Sequence, residues 1–154
     1  MSGADDGAAT RDADCRRLAI ALLARREHAR RELGQKLAQR GFAAEVVELE
    51  LDHLEQAGAL SDTRFAEVYT RVRVEKGYGP VRIDYELRQR GVAAEIAAAA
   101  LAGYREEWPM CAEAALTKRF GAVSAELGVR AKQHRFLESR GFAPGTIRDA
   151  LRKF

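Results

Sequence analysis

The side chains that could carry acid–base, nucleophilic or metal chemistry are few in this 154-residue sequence, and their spacing suits none of those roles. His28, His53 and His134 each lack a second His or Cys at ligand spacing, so no zinc site is encoded. Cys15 and Cys111 stand 96 residues apart with no paired spacing, which argues against a disulfide framework and fits a reducing compartment. Arg16 and Arg17 could lower the pKa of the Cys15 thiol. Ala19, Leu22 and Leu23 continue an apolar stripe beside it, however, so a packed cysteine is expected. Gly77-Tyr78-Gly79-Pro80 has the glycine density of a phosphate loop but lacks the Lys-Ser/Thr ending and the preceding strand, and reads as a turn between helices. No serine nucleophile elbow or helical zinc-protease motif is present. These residues argue against an enzyme; no catalytic residue, metal ligand or cofactor is assigned.

What remains is charge. Of the 26 basic residues 21 are Arg, whose planar fork suits carboxylates and phosphates. The formal net charge of +3 hides an asymmetry, because Asp5, Asp6, Asp12 and Asp14 face only Arg11 in the first fourteen residues and the remaining chain is +6, with 25 bases and 19 acids. A basic body of this kind selects acidic or polyanionic partners. Its bases gather at Arg25, Arg26, Arg30, Arg31 and Lys36, then at Arg71, Arg73, Lys76, Arg82, Arg88 and Arg90, and again at Lys118, Arg119, Arg130, Lys132 and Arg135. Interleaved acids such as Glu27, Glu32, Glu75 and Glu86 mean that some of this charge sits in surface pairs worth ~0.3–0.5 kcal/mol each. The N-terminus is acidic and rich in Gly and Ala, with no basic region leading into an apolar core, and no stretch reaches the ~18 apolar residues of a membrane span. A cytoplasmic protein with a loose tail over residues 1–14 is expected.

The elements that would display this charge are helices. Ala and Leu dominate the apolar residues and aromatics are scarce, which suits packed helices better than a sheet. The segments Leu33–Leu51, Ile83–Leu101 and Gln133–Leu151 align without a gap at an offset of fifty residues. In that frame Leu37, Leu87 and Leu137 coincide, followed by the tripeptides Arg40-Gly41-Phe42, Arg90-Gly91-Val92 and Arg140-Gly141-Phe142. Each tripeptide reads as a helix stop, with Gly in the left-handed conformation and the next residue packing back on the Leu three positions inside the helix. Pro144, at the position of Ala44 and Ala94, marks the start of the following helix.

A further helix precedes each pair, around 15–27, 62–75 and 110–120; the second has Ser61 or Asp62 to cap it and a stripe of Phe65, Val68, Tyr69 and Val72. Phe65 and Tyr69 are assigned to the core. The fold class is therefore all-α, three tandem three-helix repeats over 15–57, 58–105 and 106–154. Each is too small to bury its apolar face alone, so neighbouring copies must pack. The third copy departs from the frame where Gln133 replaces Leu33 and Ile83, and as a terminal unit it has no further neighbour to cover that face.

The run Leu51-x-x-Leu54-x-x-x-Gly58-x-Leu60-Ser61-Asp62-x-x-Phe65-Ala66-x-x-Tyr69, then Lys76-Gly77 and Ile83-x-x-x-Leu87, together with the tripeptides, resembles the RecX family, regulatory proteins of the RecA recombinase. The likeness spans about residues 15–154, and the Gly58–Tyr69 segment is its most specific part. The resemblance implies repeats stacked into an elongated, curved array. It also implies binding to the RecA filament on single-stranded DNA, with inhibition of ATP hydrolysis, strand exchange and coprotease function through blocked growth or promoted disassembly. A monomer without a cofactor, binding single- or double-stranded DNA only weakly and without sequence preference, is expected. The contact residues expected on the basic stripe are Arg25, Arg26, Arg30 and Arg31, then Arg71, Arg73, Lys76, Tyr78, Arg82 and Arg88, and finally Arg130, Lys132 and Arg135. The rival reading is a nonspecific DNA-binding repeat protein that acts by competing for DNA. A helix-turn-helix repressor fits poorly, since it would present one recognition helix rather than a unit repeated three times.

Overall fold

The tripeptides end helices in the manner their spacing predicts. In the computed structural model, which describes residues 3–152 apart from the side chains of Ala4 and Asp5, the Gly41 N–H donates to the Ala38 carbonyl at 3.0 Å and the Phe42 N–H to the Leu37 carbonyl at 3.4 Å. The third copy repeats the pair, Gly141 to Glu138 at 3.0 Å and Phe142 to Leu137 at 3.2 Å. Gly41, Gly91 and Gly141 all have φ between 85° and 91°, the left-handed conformation that a side chain disfavours.

The described residues form nine helices in three triplets and no strand. These are α1 (Gly3–Arg25), α2 (Arg30–Gln39) and α3 (Ala44–Gln56); α4 (Asp62–Glu75), α5 (Pro80–Gln89) and α6 (Ala94–Ala102); and α7 (Trp108–Phe120), α8 (Leu127–Ser139) and α9 (Pro144–Leu151). The fourth is capped by Ser61, whose Oγ accepts the Arg64 N–H at 3.1 Å. Asp62 serves another helix. Its carboxylate accepts the N–H of Arg30, the first residue of α2, at 2.7 Å, and so caps an element remote in sequence.

By their internal packing the helices gather into two compact units, Met1–Phe65 with Arg90–Val92, and Ala66–Gln89 with Ala93–Phe154. In the first unit α1, α2 and α3 pack against one another around Cys15, Ala19, Leu33, Leu37, Val47, Leu51, Leu54 and Leu60. Burying a Leu of this kind stabilises by about 1.5–3 kcal/mol. In the second unit α7, α8 and α9 pack mutually and α5 pairs with α6, with Ile83, Leu87, Leu116, Leu137 and Ile147 buried.

The structure departs from the sequence-based expectations at three places. The segment 3–14, expected as a loose tail, is the first half of α1, exposed from Asp6 onward except at the partly covered Asp12; its alanines favour helix, and the Thr10 hydroxyl donates to the Asp6 carbonyl at 2.7 Å. Gln133 is not on an uncovered face but fully buried, its amide nitrogen donating to the Ala122 carbonyl at 2.8 Å and its oxygen accepting the Ser124 N–H at 3.2 Å. It buries because it satisfies the backbone of the turn before α8. Of the α4 stripe, Phe65 is buried and Tyr69 half-buried, whereas Val72 is exposed. Residues 1–2 of the expected tail and 153–154 of the expected third repeat lie outside the described residues. No helix of the described residues is long and apolar enough to cross a membrane.

Candidate partner-binding surface

The Lys76-Gly77-Tyr78 stop at the end of α4 organises a cation-rich part of the second unit. The Gly77 N–H donates to the Val74 carbonyl at 2.9 Å and the Tyr78 N–H to that of Arg73 at 3.1 Å, the same pattern as at the tripeptides. Here the two side chains that meet across the stop are a cation and an aromatic ring. The guanidinium carbon of Arg73 lies 3.8 Å from the Tyr78 ring centroid, that of Arg82 at 4.5 Å and that of Arg140 at 4.6 Å. Each such contact is worth about 0.5–2 kcal/mol, more as water is excluded.

Three guanidiniums on one ring repel, and Glu86 offsets them. Its carboxylate accepts from the Tyr69 hydroxyl, from Arg73 Nη2 and, at 3.1 Å, from Arg82 Nε. Burial pushes the Glu86 carboxyl up, but those three donors outweigh it and hold the group below the ordinary carboxylate range. Arg140 is fixed further by its Nη1, which donates to the Lys76 carbonyl at 3.3 Å, and Arg82 by a bond to the Ser139 carbonyl at 3.1 Å. Arg73 Nε is buried and makes no hydrogen bond to another described residue.

The backbone locks this arrangement. The Gly79 N–H donates to the Arg140 carbonyl at 2.7 Å and the Val81 N–H to the Gly141 carbonyl at 2.9 Å. A Cβ at Gly79 would lie 2.6 Å from the Gly141 carbonyl carbon, so no side chain fits there. Beside the cluster a groove of about 360 Å³ runs along the end of α4 and the facing sides of α7 and α8. Val74, Cys111, Ala114, Ala115 and Phe136 form its apolar walls, and Lys76, Lys118, Arg119 and Arg140 supply cations against the single carboxylate of Glu75. Burial first, then the nearby Glu107, raises the pKa of the Cys111 thiol and keeps it protonated.

The residues expected as contacts divide into used and displayed ones. In the first unit Arg26 pairs with both carboxylate oxygens of Glu32, and Arg30 holds Glu48, Asp52 and Glu55 at 2.7–3.1 Å. Both are occupied structurally; Arg25 is exposed, and Arg31, though exposed too, lies with its side chain close to Gly91. In the second unit Arg73, Tyr78 and Arg82 are consumed by the cluster, and Arg130 donates to the Leu151 carbonyl at 2.6 Å. Arg71, Lys76, Arg88, Lys132 and Arg135 are exposed. Sequence reasoning passed over Phe136 and treated Arg140 only as a helix stop and Glu86 only as an interleaved acid. The tripeptide frame placed Arg140 at a helix end, but nothing in it signalled a long-range seat on Tyr78.

Comparison with known proteins decides the family. Residues 15–54 match the first three-helix domain of RecX and residues 61–101 the second. The chain is 48% identical over 133 residues to the regulatory protein RecX of Halorhodospira halophila, covering 86% of this chain and 83% of that one. It is 44% identical over 142 residues to that of Chromohalobacter salexigens, covering 92% and 93%. The chain belongs to the RecX family. Its fold agrees with the crystal structure of RecX from Lactobacillus salivarius at a TM-score of 0.79 and 22% identity over 94% of this chain and 97% of that one. A second crystal structure of regulatory protein RecX gives 0.84 at 21% identity, over 98% and 77%. Relative to the RecX domains, Arg73, Tyr78, Arg82 and Glu86 fall inside the second domain, whereas Phe136 and Arg140 come from the helices beyond it.

Proposed function

We propose that this chain regulates the RecA recombinase by binding the RecA filament on single-stranded DNA. In this reading it inhibits ATP hydrolysis, strand exchange and coprotease function by blocking filament growth or promoting disassembly, acting as a cytoplasmic monomer. The observation that carries the reading is membership of the RecX family along most of the chain, with 48% identity to a regulatory protein. Support comes from the cations that the fold leaves outside its own ion pairs. Among the described residues Arg25, Arg71, Arg88, Lys132 and Arg135 are exposed and form none of the salt bridges that Arg26, Arg30, Arg73 and Arg82 form. Such groups are available to acidic protomer faces or to filament phosphates.

The test is RecA ATPase titrated with the protein at a salt concentration that abolishes its binding to free DNA. A fall in hydrolysis is expected; unchanged hydrolysis would count against a direct filament contact. The same exposed arginines favour one rival, competition for DNA. That rival predicts inhibition lost in parallel with DNA binding, with a salt slope of about −0.7 per phosphate on single strands.

A further inference from the structure

We propose that the groove between the end of α4 and the helices α7 and α8 is a docking site for an acidic peptide segment of a protein partner, with one apolar side chain of that segment entering the groove. Three observations carry this. The first is shape and lining. About 360 Å³ is near the lower end of the ~300–1,000 Å³ range of ligand pockets, room for a side chain or two, and the walls that would receive it are Val74, Ala115, Phe136 and the protonated Cys111.

The second is charge. Lys76, Lys118, Arg119 and Arg140 stand around these walls against Glu75 alone. Lys118 and Arg119 occupy the last turn of α7, are exposed, and take part in no salt bridge among the described residues. Arg140 is already oriented by the Tyr78 and Phe136 rings, at 4.6 and 5.1 Å, so little side-chain freedom is lost when a carboxylate meets it.

The third separates a peptide from a nucleic acid. A single strand bound in a cationic groove gains much of its affinity by stacking bases on aromatic faces. The aromatic ring that lines the groove, Phe136, is already engaged by Arg140 and by Phe120 edge-on at 5.5 Å, and the nearby Tyr78 ring by three guanidiniums. An apolar slot rimmed by cations fits an aliphatic or aromatic side chain flanked by Asp and Glu better than it fits a base.

The inference shares with the proposed function only the idea of a protein partner, and its test uses no recombinase, so the two can fail separately. The probes are a short fluorescein-labelled Asp/Glu peptide with one central Phe, the same peptide with Ser for Phe, and labelled oligothymidylate, each titrated into the full chain by fluorescence anisotropy. Cys111 gives a local readout, because Cys15 is fully buried and Cys111 is only half-covered. The Phe peptide is expected to bind at least tenfold more tightly than the Ser peptide and to slow maleimide labelling of Cys111 severalfold. The double substitution Lys118→Glu/Arg119→Glu is expected to weaken it at least tenfold while the chain stays folded, the melting temperature falling only slightly because both cations sit at the negative end of α7. Equal binding of the two peptides, undiminished Cys111 labelling at saturation, or indifference to the double substitution would each overturn the proposal. Protection of Cys111 by oligothymidylate in place of the peptide would reassign the groove to nucleic acid and overturn it as well.

Discussion

At the scale of single residues, Tyr78 shows how a side chain can be essential for its ring and indifferent in its hydroxyl. Its partners are the guanidiniums of Arg73, Arg82 and Arg140, all seated over the ring. Tyr78→Phe should leave the thermal unfolding midpoint nearly unchanged, whereas Tyr78→Ala should cost about 1–3 kcal/mol by denaturant titration, since three cations lose their platform together. His28 supplies a pH-dependent counterpart in the first unit. It is 1% exposed, and its Nδ1–H donates to the Arg26 carbonyl at 3.1 Å while Nε2 accepts from Lys36 Nζ at 2.9 Å, which fixes a neutral ring. Burial, and then the charges of Arg26 and Lys36, lower its pKa from 6.5. The unfolded chain therefore takes up this proton first. The stability contributed by neutral His28 is fully present above pH 6.5 and is lost as pH falls from there through the folded value. NMR titration should place the His28 midpoint below 6.5, and a midpoint above it would contradict the burial argument. Neither role was legible in sequence, because both depend on partners that only the tertiary fold delivers. A packed Cys15 was legible, since its apolar neighbours Ala19, Leu22 and Leu23 share its helix face.

At the scale of elements, helix ends were the most readable feature and helix beginnings the least. A stop is a local event: Gly41 or Gly141, the Leu four residues earlier and the apolar residue after it all lie within one turn. The start at Pro144 was equally local. The start of α2 was not, because its own cap residue Ala29 makes no side-chain bond and the acceptor is Asp62. Asp62→Ala should therefore destabilise by about 1 kcal/mol, and hydrogen exchange should show faster opening in the first turn of α2, not only of α4. Gln133 escaped the periodicity argument for a related reason. A polar residue at an apolar register position reads as exposure, but its amide is spent on the Ala122 and Ser124 backbone.

At the scale of the whole molecule, the repeat frame supplied the helix count and order, while the distribution of free and used charge had to wait for the structure. Half of an apparent stripe is internal wiring: Arg30 alone holds three carboxylates. On the proposed function, the displayed cations should matter most. Arg71→Glu/Arg88→Glu is expected to weaken inhibition of RecA ATPase about tenfold while leaving the melting temperature in place, because both side chains are exposed. The tripeptide glycines carry a further consequence. A Cβ at Gly41 would meet nothing within 4 Å, one at Gly91 would lie 2.9 Å from Arg31, and one at Gly141 would run into Arg82. The second and third glycines are each pressed against the copy before them, and the first faces open space. Asn tolerates the left-handed conformation, so Gly41→Asn should cost about 1 kcal/mol, whereas Gly141→Asn should cost about 3 kcal/mol or more. Three positions that look equivalent in the repeat are thus sterically unequal. In a saturation library scored for folded protein, the first tripeptide should accept substitutions that its two later copies reject.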